Sequence, residues 1–270
     1  GLQDKGTDLS LFWGDDEINT WKKDIPEAPG AEIDQAEVLR EKWQTATGQT
    51  WQVGVHRLHC GDSTAWSDGG DVMIYDPPWD NIPKINVEGY DSTLAFTDGR
   101  RLCDIMQAFG PSPLWTFVWD CGGSWWSGDS RPLAKMKMAI WFGENIDLYN
   151  AEGSFREAST KPGVVSNSRG TYKYEPDPRG ARLMDVYQES LVQLHKEGHQ
   201  HAKPVTWIRL LIANCTQGDV FDPFLGSGTT MVACEQIGRM CYGIEIDPAY
   251  VAITLERMSK MDITPELIDG

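Results

Sequence analysis

Val220-Phe221-Asp222-Pro223-Phe224-Leu225-Gly226-Ser227-Gly228-Thr229-Thr230 decides the fold of this 270-residue chain. A strand over 219–221 runs into a glycine turn, and the turn opens directly into a helix over 228–237. The next strand, 240–246, closes with Gly243-Ile244-Glu245-Ile246-Asp247-Pro248, and Pro248 begins a terminal helix reaching Met261. Strand, helix, strand, helix in this rhythm predicts an α/β fold: a mostly parallel sheet with helices on both faces.

In such sheets ligands bind beyond the carboxyl ends of the strands. Glycines in Gly226-Ser227-Gly228 let the backbone approach a ligand closely. The helix N-terminus and the Thr229 and Thr230 hydroxyls offer donors to an anion, such as the carboxylate of S-adenosylmethionine. Glu245 ends the following strand, where an acid accepts from ribose hydroxyls. The loop lacks both the third glycine of the dinucleotide fingerprint and the Gly-Lys-Ser/Thr of a phosphate loop. Asp222 has a second, lesser reading as a cap on the turn that follows it. Asp62, after the strand ending at Cys60, is placed either for an adenine amino group or simply for a turn.

Upstream, residues 1–48 read as an appendage or linker, with a short helix over 33–43. Residues 49–270 then form the main domain. Strands are expected over 52–60, 71–75, 114–119 and 135–141, with helices over 93–109 and 204–213. The pattern weakens from about 145 to 200, where Gly, Pro, Ser and Arg are frequent; this is the expected variable insert.

The second chemical motif is Asp76-Pro77-Pro78-Trp79, about 145 residues before the glycine loop and just after the apolar run Val72-Met73-Ile74-Tyr75. An exocyclic amine on adenine or cytosine is a poor nucleophile, because its lone pair is delocalised into the ring. Two acceptors, the Asp76 carboxylate and the Pro77 carbonyl, draw that nitrogen toward tetrahedral geometry. The prolines stiffen the loop, so both acceptors stand ready before the base arrives. Trp79 offers a face on which the base stacks. A rigid turn without chemistry is the alternative reading of the tetrapeptide alone.

Composition narrows the class. The six cysteines form no C-x-x-C pair and have no accompanying histidine cluster, so neither a metal site nor a disulfide framework is expected. No apolar run is long enough to span a membrane and no signal peptide is visible, so a cytoplasmic protein is expected. The net charge of −16 is unusual for a protein that touches nucleic acid. It is unevenly spread: residues 1–43 carry −6, whereas 153–182 carry +3. That segment holds Arg156, Lys161, Arg169, Lys173, Arg179 and Arg182, the candidate DNA contacts. An ordinary solvated loop reads equally well from charge alone. Trp125-Trp126 either borders a base pocket or packs in the core.

With both motifs in this order, the chain resembles the beta group of DNA amino-methyltransferases, in which the catalytic motif precedes the cofactor loop. His56-Arg57-Leu58-His59-Cys60-Gly61-Asp62-Ser63, Lys203-Pro204 and Gly243-Ile244-Glu245-Ile246-Asp247-Pro248-Ala249-Tyr250 extend the likeness over residues 50–260. The resemblance implies a permuted Rossmann-like fold, S-adenosylmethionine as methyl donor and a flipped base in DNA. It places Asp62, Asp222, Phe224, Gly226, Ser227, Gly228, Thr229, Thr230, Glu245 and Asp247 around the cofactor, with Lys203 near its methionine end. Trp79 stands where Tyr is commoner in the group, and it stacks as well. Residues 11–18 are similar to linkers that follow ParB-like domains in phage and prophage fusions, so an upstream or partner DNA-binding domain is expected. Asp rather than Ser at 76 leans toward adenine N6 over cytosine N4. Methylation of RNA or a protein amide, and an inactive DNA-binding module, are the competing readings. The oligomeric state is open, a homodimer being one option.

Overall fold

The computed structural model describes residues 28–65, 70–78, 86–97, 101–110, 113–120, 136–143, 163–167, 170–174, 186–188 and 203–270. A ten-stranded sheet organises them. Its centre is five parallel strands: β2 (His56–Cys60), β11 (Cys241–Glu245), β10 (Val220–Asp222), β3 (Val72–Tyr75) and β4 (Ser92–Thr97). Antiparallel pairings extend both sides. β12 (Pro265–Asp269) and β1 (Thr50–Val53) flank β2, while β6 (Met136–Gly143) and β5 (Trp115–Asp120) follow β4. β9 (Val186–Gln188) adds a parallel edge beside β5. The sheet is therefore mixed, with a parallel heart.

Helices cover both faces of that heart. α3 (Val205–Cys215), α4 (Thr229–Gln236) and α5 (Pro248–Ser259) bury Trp207, Leu211, Met231, Val232, Val251 and Leu255 with Val72, Ile74, Leu94 and Phe96. On the other face α2 (Leu102–Phe109) sets Ile105 against Met73, Tyr75, Ala95 and Phe221. Alternate residues of β3 thus belong to opposite cores, which is why all four are buried and the strand reads as a continuous apolar run. Each such aliphatic side chain contributes about 1.5–3 kcal/mol by leaving water.

Burial on both faces also explains a difference from expectation. Residues 93–109 were expected to be one helix; instead β4 occupies Ser92–Thr97, buried throughout, and the helix begins at Leu102. A strand with two buried faces has no alternation to betray it. Likewise 52–60 is a hairpin rather than one strand. β1 and β2 meet with Val53 opposite His56, and Gly54, at φ 60°, takes the first of the two loop positions. β12 lies where no element was expected. Within the expected insert, β7 (Gly163–Asn167) and β8 (Gly170–Tyr174) form an antiparallel hairpin.

The N-terminal residues that are described lie along α5. α1 (Ala36–Trp43) sets Leu39 beside Ala252 and Ile253. The Trp43 indole N–H and the Lys42 ammonium both donate to Glu256.

Candidate active site

Parallel strands bring their carboxyl ends to one edge, and four chemically marked residues follow those ends. Asp62 comes after β2, Glu245 ends β11, Asp222 ends β10 and Asp76 follows β3. The glycine loop and the tetrapeptide, far apart in sequence, thereby leave neighbouring strands, paired through Val220–Val72 and Phe221–Met73.

The loop after β10 is built by its own side chains. Asp222 is buried, and its Oδ1 accepts from the Phe224 N–H at 2.9 Å. The Thr230 hydroxyl donates to the same carboxyl group. Burial pushes Asp222 up to about 7, against the pull of these donors; Asp76 pushes the same way and Lys203 opposes it. Asp222 therefore acts visibly as a turn cap, while also sensing both charges of the neighbouring motif. Phe224 stands edge-on to Tyr75 with ring centroids 5.6 Å apart, joining the two loops through aromatic packing.

Gly226 and Gly228 both adopt left-handed backbone, with φ of 57° and 81°. At Gly228 a Cβ would also lie 2.7 Å from Thr254 Oγ1 and Cγ2, so no other residue fits without displacement. Immediately after it α4 begins at Thr229, with Ser227 and Thr230 buried beneath the turn.

Glu245 ties down this loop from the adjoining strand. One carboxylate oxygen accepts from the Gly226 N–H at 2.8 Å and the other from the Asp247 N–H at 2.9 Å. Burial raises its pKa, with these backbone donors working against the shift. The Ile246 N–H is a third backbone donor to the same carboxylate. Asp247 caps α5 by accepting from Ala249 N–H at 2.9 Å. Asp62 is exposed, and its Oδ1 accepts from the Thr64 N–H and hydroxyl at 2.9 and 2.8 Å, which holds its carboxyl below the usual range.

At the tetrapeptide, Pro77 is buried and Pro78 exposed. The Lys203 ammonium donates to Asp76 Oδ2 and lies 4.8 Å from the Phe96 ring centroid. Only 31% of the Asp76 side chain and 12% of the Lys203 side chain meet solvent, so this is a sheltered, charge-compensated carboxylate. Sequence reading placed Lys203 at the cofactor's methionine end and missed this partnership, as it missed Phe96, Thr254 and Arg257. No local signal connects residues 76, 96 and 203; only the sheet order does. Trp79, Trp125, Trp126, Arg156, Lys161, Arg169, Arg179 and Arg182 lie outside the described residues, and Lys173 falls on β8. Among the described residues no group of His, Cys, Asp or Glu is arranged to hold a metal. No described helix is long and apolar enough to cross a membrane.

The chain is 49% identical over 275 residues to the Type II methyltransferase M.SmaI of Serratia marcescens, covering 96% of this chain and 80% of that protein. It is 28% identical over 222 residues to the Type II methyltransferase M.ScaI of Streptomyces caespitosus, covering 78% of this chain and 65% of that one. A solved structure of the M1.HpyAVI–SAM complex aligns over 70% of this chain and 89% of its own, at 21% identity and a TM-score of 0.48. The family model described as DNA methylase, for N6- and N4-methyltransferases, matches residues 19–256. The chain belongs to this DNA methylase family, whose members are S-adenosylmethionine-dependent methyltransferases of DNA amino groups.

Proposed function

We propose that this chain moves a methyl group from S-adenosylmethionine to the exocyclic amine of a base flipped out of DNA. The observation that carries the reading is the adjacency of Asp76 and the Asp222–Thr230 loop at the carboxyl ends of paired strands. Left-handed Gly226 and Gly228, the start of α4 and the two-oxygen acceptor at Glu245 suit the carboxylate and ribose of that donor. When bound, the donor supplies an electrophilic methyl on a positively charged sulfur. Asp76 and the Pro77 carbonyl accept the two N–H groups of the amine and hold its lone pair on the line of attack. As the N–C bond forms, the C–S bond breaks, and the surplus amine proton leaves to water. Lys203 holds Asp76 in place until the amine takes over its hydrogen bond. Trp79 provides the stacking face.

Asp76 is also the support for adenine N6 over cytosine N4. The acidic balance is the support for DNA affinity supplied in part by the basic stretch 153–182 and by an upstream or partner DNA-binding domain of the ParB-like kind. In this reading 49–270 is the catalytic domain, 145–200 its target-recognition insert and 1–48 an appendage, and the protein works in the cytoplasm. Incubation with S-adenosylmethionine and unmethylated DNA, followed by mass spectrometry of the nucleosides, tests the proposal. N6-methyladenine or N4-methylcytosine made by wild type and not by Asp76→Ala supports it and names the base. Donor binding without any methylated DNA base refutes it, and the same assay on RNA and on protein then decides between those substrates.

A further inference from the structure

Arg257 sits near the end of α5 with 2% of its surface exposed, and no acid pairs with it among the described residues. Burial lowers its pKa to about 10, so it stays charged at neutral pH. A buried cation without a counter-charge is costly unless hydrogen bonds hold it. Here Nη1 donates to the Ser227 carbonyl at 2.7 Å and reaches Thr229 Oγ1 at 3.4 Å, while Nε donates to the Pro29 carbonyl at 3.0 Å. One turn earlier on the same helix, the Thr254 hydroxyl donates to the Gly226 carbonyl at 3.3 Å. Two side chains of α5 thus hold the Gly226–Thr229 turn from beneath, and one of them also grips the N-terminal segment.

That segment is itself fastened to α5. Ala31 is fully buried beside Ala252 and Ile253, Glu32 pairs with Lys260, and Trp43 donates to Glu256 at 3.0 Å. The Thr45 hydroxyl donates to the Pro248 carbonyl at 2.6 Å.

We propose that Arg257 is a positioning residue for the methyl-donor loop, and that residues 28–45 set donor affinity through it. The proposal rests on the loop's reading as the donor site. Pinning the Ser227 carbonyl between two left-handed glycines orders the turn before binding, so less ordering remains when the donor arrives. The buried charge also adds to the positive potential at the start of α4.

The test compares wild type, Arg257→Met, Arg257→Lys and Glu256→Gln by calorimetric titration with S-adenosylmethionine and its demethylated product. Donor-free unfolding and the KM-against-kcat split are measured alongside. Arg257→Met should weaken donor binding about tenfold or more and leave turnover at saturating donor within about threefold. Arg257→Lys should recover part of the affinity, because it keeps the charge and one hydrogen bond. Glu256→Gln loosens the N-terminal segment far from the loop and should weaken donor binding about threefold, with the KM for DNA unchanged. A folded Arg257→Lys and Arg257→Met that bind the donor as wild type does, whatever their stability, overturn the positioning role. Should the Met variant not fold, the Lys variant decides alone. Unchanged affinity in Glu256→Gln overturns the part played by the segment. Wild type that binds no donor would instead sink the proposed function.

Discussion

Replacing Gly228 by Ala tests the packing of the donor loop directly. The backbone there has φ 81°, a region that costs a residue with a Cβ about 1 kcal/mol. The added methyl would also lie 2.7 Å from both Cγ2 and Oγ1 of Thr254. Thr254 is completely buried on α5 and cannot turn outward, so overpacking adds about 1–3 kcal/mol. The sum is a loss of about 2–4 kcal/mol, readable as a lower urea midpoint at unchanged slope. Thr254→Ala alone should cost about 1–2 kcal/mol, from a small cavity and the lost bond to Gly226. In the double variant the two 2.7 Å contacts vanish, and only the Thr254 Cβ position at 3.1 Å and the backbone cost remain. The double variant should therefore be more stable than the sum of the singles predicts, by about 1–3 kcal/mol. Calorimetry should show the Gly228→Ala loop binding the donor about tenfold or more weakly, since the start of α4 must shift. A Gly228→Ala protein within about 0.5 kcal/mol of wild type, or singles that simply add, would refute the steric argument.

Three further outcomes follow from single contacts. Glu245→Gln turns one oxygen into an amide that faces a backbone N–H, so donor affinity measured by titration should drop about tenfold or more, and an unchanged value would remove Glu245 from the ribose role. The Cys241 N–H donates to His56 Nδ1 at 3.1 Å, leaving the imidazole proton on Nε2 for Glu235 at 2.7 Å, and burial lowers the pKa of this neutral ring. The unfolded chain binds a proton below about pH 6.5 that the fold refuses, so the stability advantage over His56→Gln should shrink as pH falls from 7.5 to 5.5; parallel curves would contradict it. Asp222 has the opposite sign. The unfolded carboxyl ionises near 3.8, whereas burial keeps the folded one protonated up to about 7, so donor-free stability measured relative to Asp222→Asn should fall as pH rises across that interval.

Much of the fold was legible because its signals are local. The apolar run into Asp76, the glycine turn into a helix and Asp247-Pro248 opening the last helix each state their conformation in a few residues. What escaped was set by distance. β4 carries the same buried identity on both faces, so no period distinguishes it from helix, and only its place between β3 and β6 makes it a strand. β12 is exposed along most of its length and exists by pairing with β1, more than two hundred residues earlier in the chain. The hairpin at Gly54 was hidden because its turn is only two residues long.

The site divides along the same line. Acids at strand ends could be named from sequence, since a sheet of this class exposes them at one edge. Their partners could not. Lys203 meets Asp76 because the start of α3 packs against β4 through Trp207 and Phe96, and the Phe96 ring lies under the ammonium. Arg257 is the sharper case. In sequence it is a basic residue in the last turn of a helix, where a cation is favoured by the helix dipole and ordinarily reaches into water. Its actual bonds go to Ser227 and Pro29, backbone carbonyls whose positions depend on α4 and on the N-terminal segment being in place. A residue that acts by holding other backbone leaves no trace in residue type, because every residue carries a carbonyl. Loop geometry at a strand's end can thus be announced by its glycines, while what keeps those glycines in register is visible only once the helix behind them has been located.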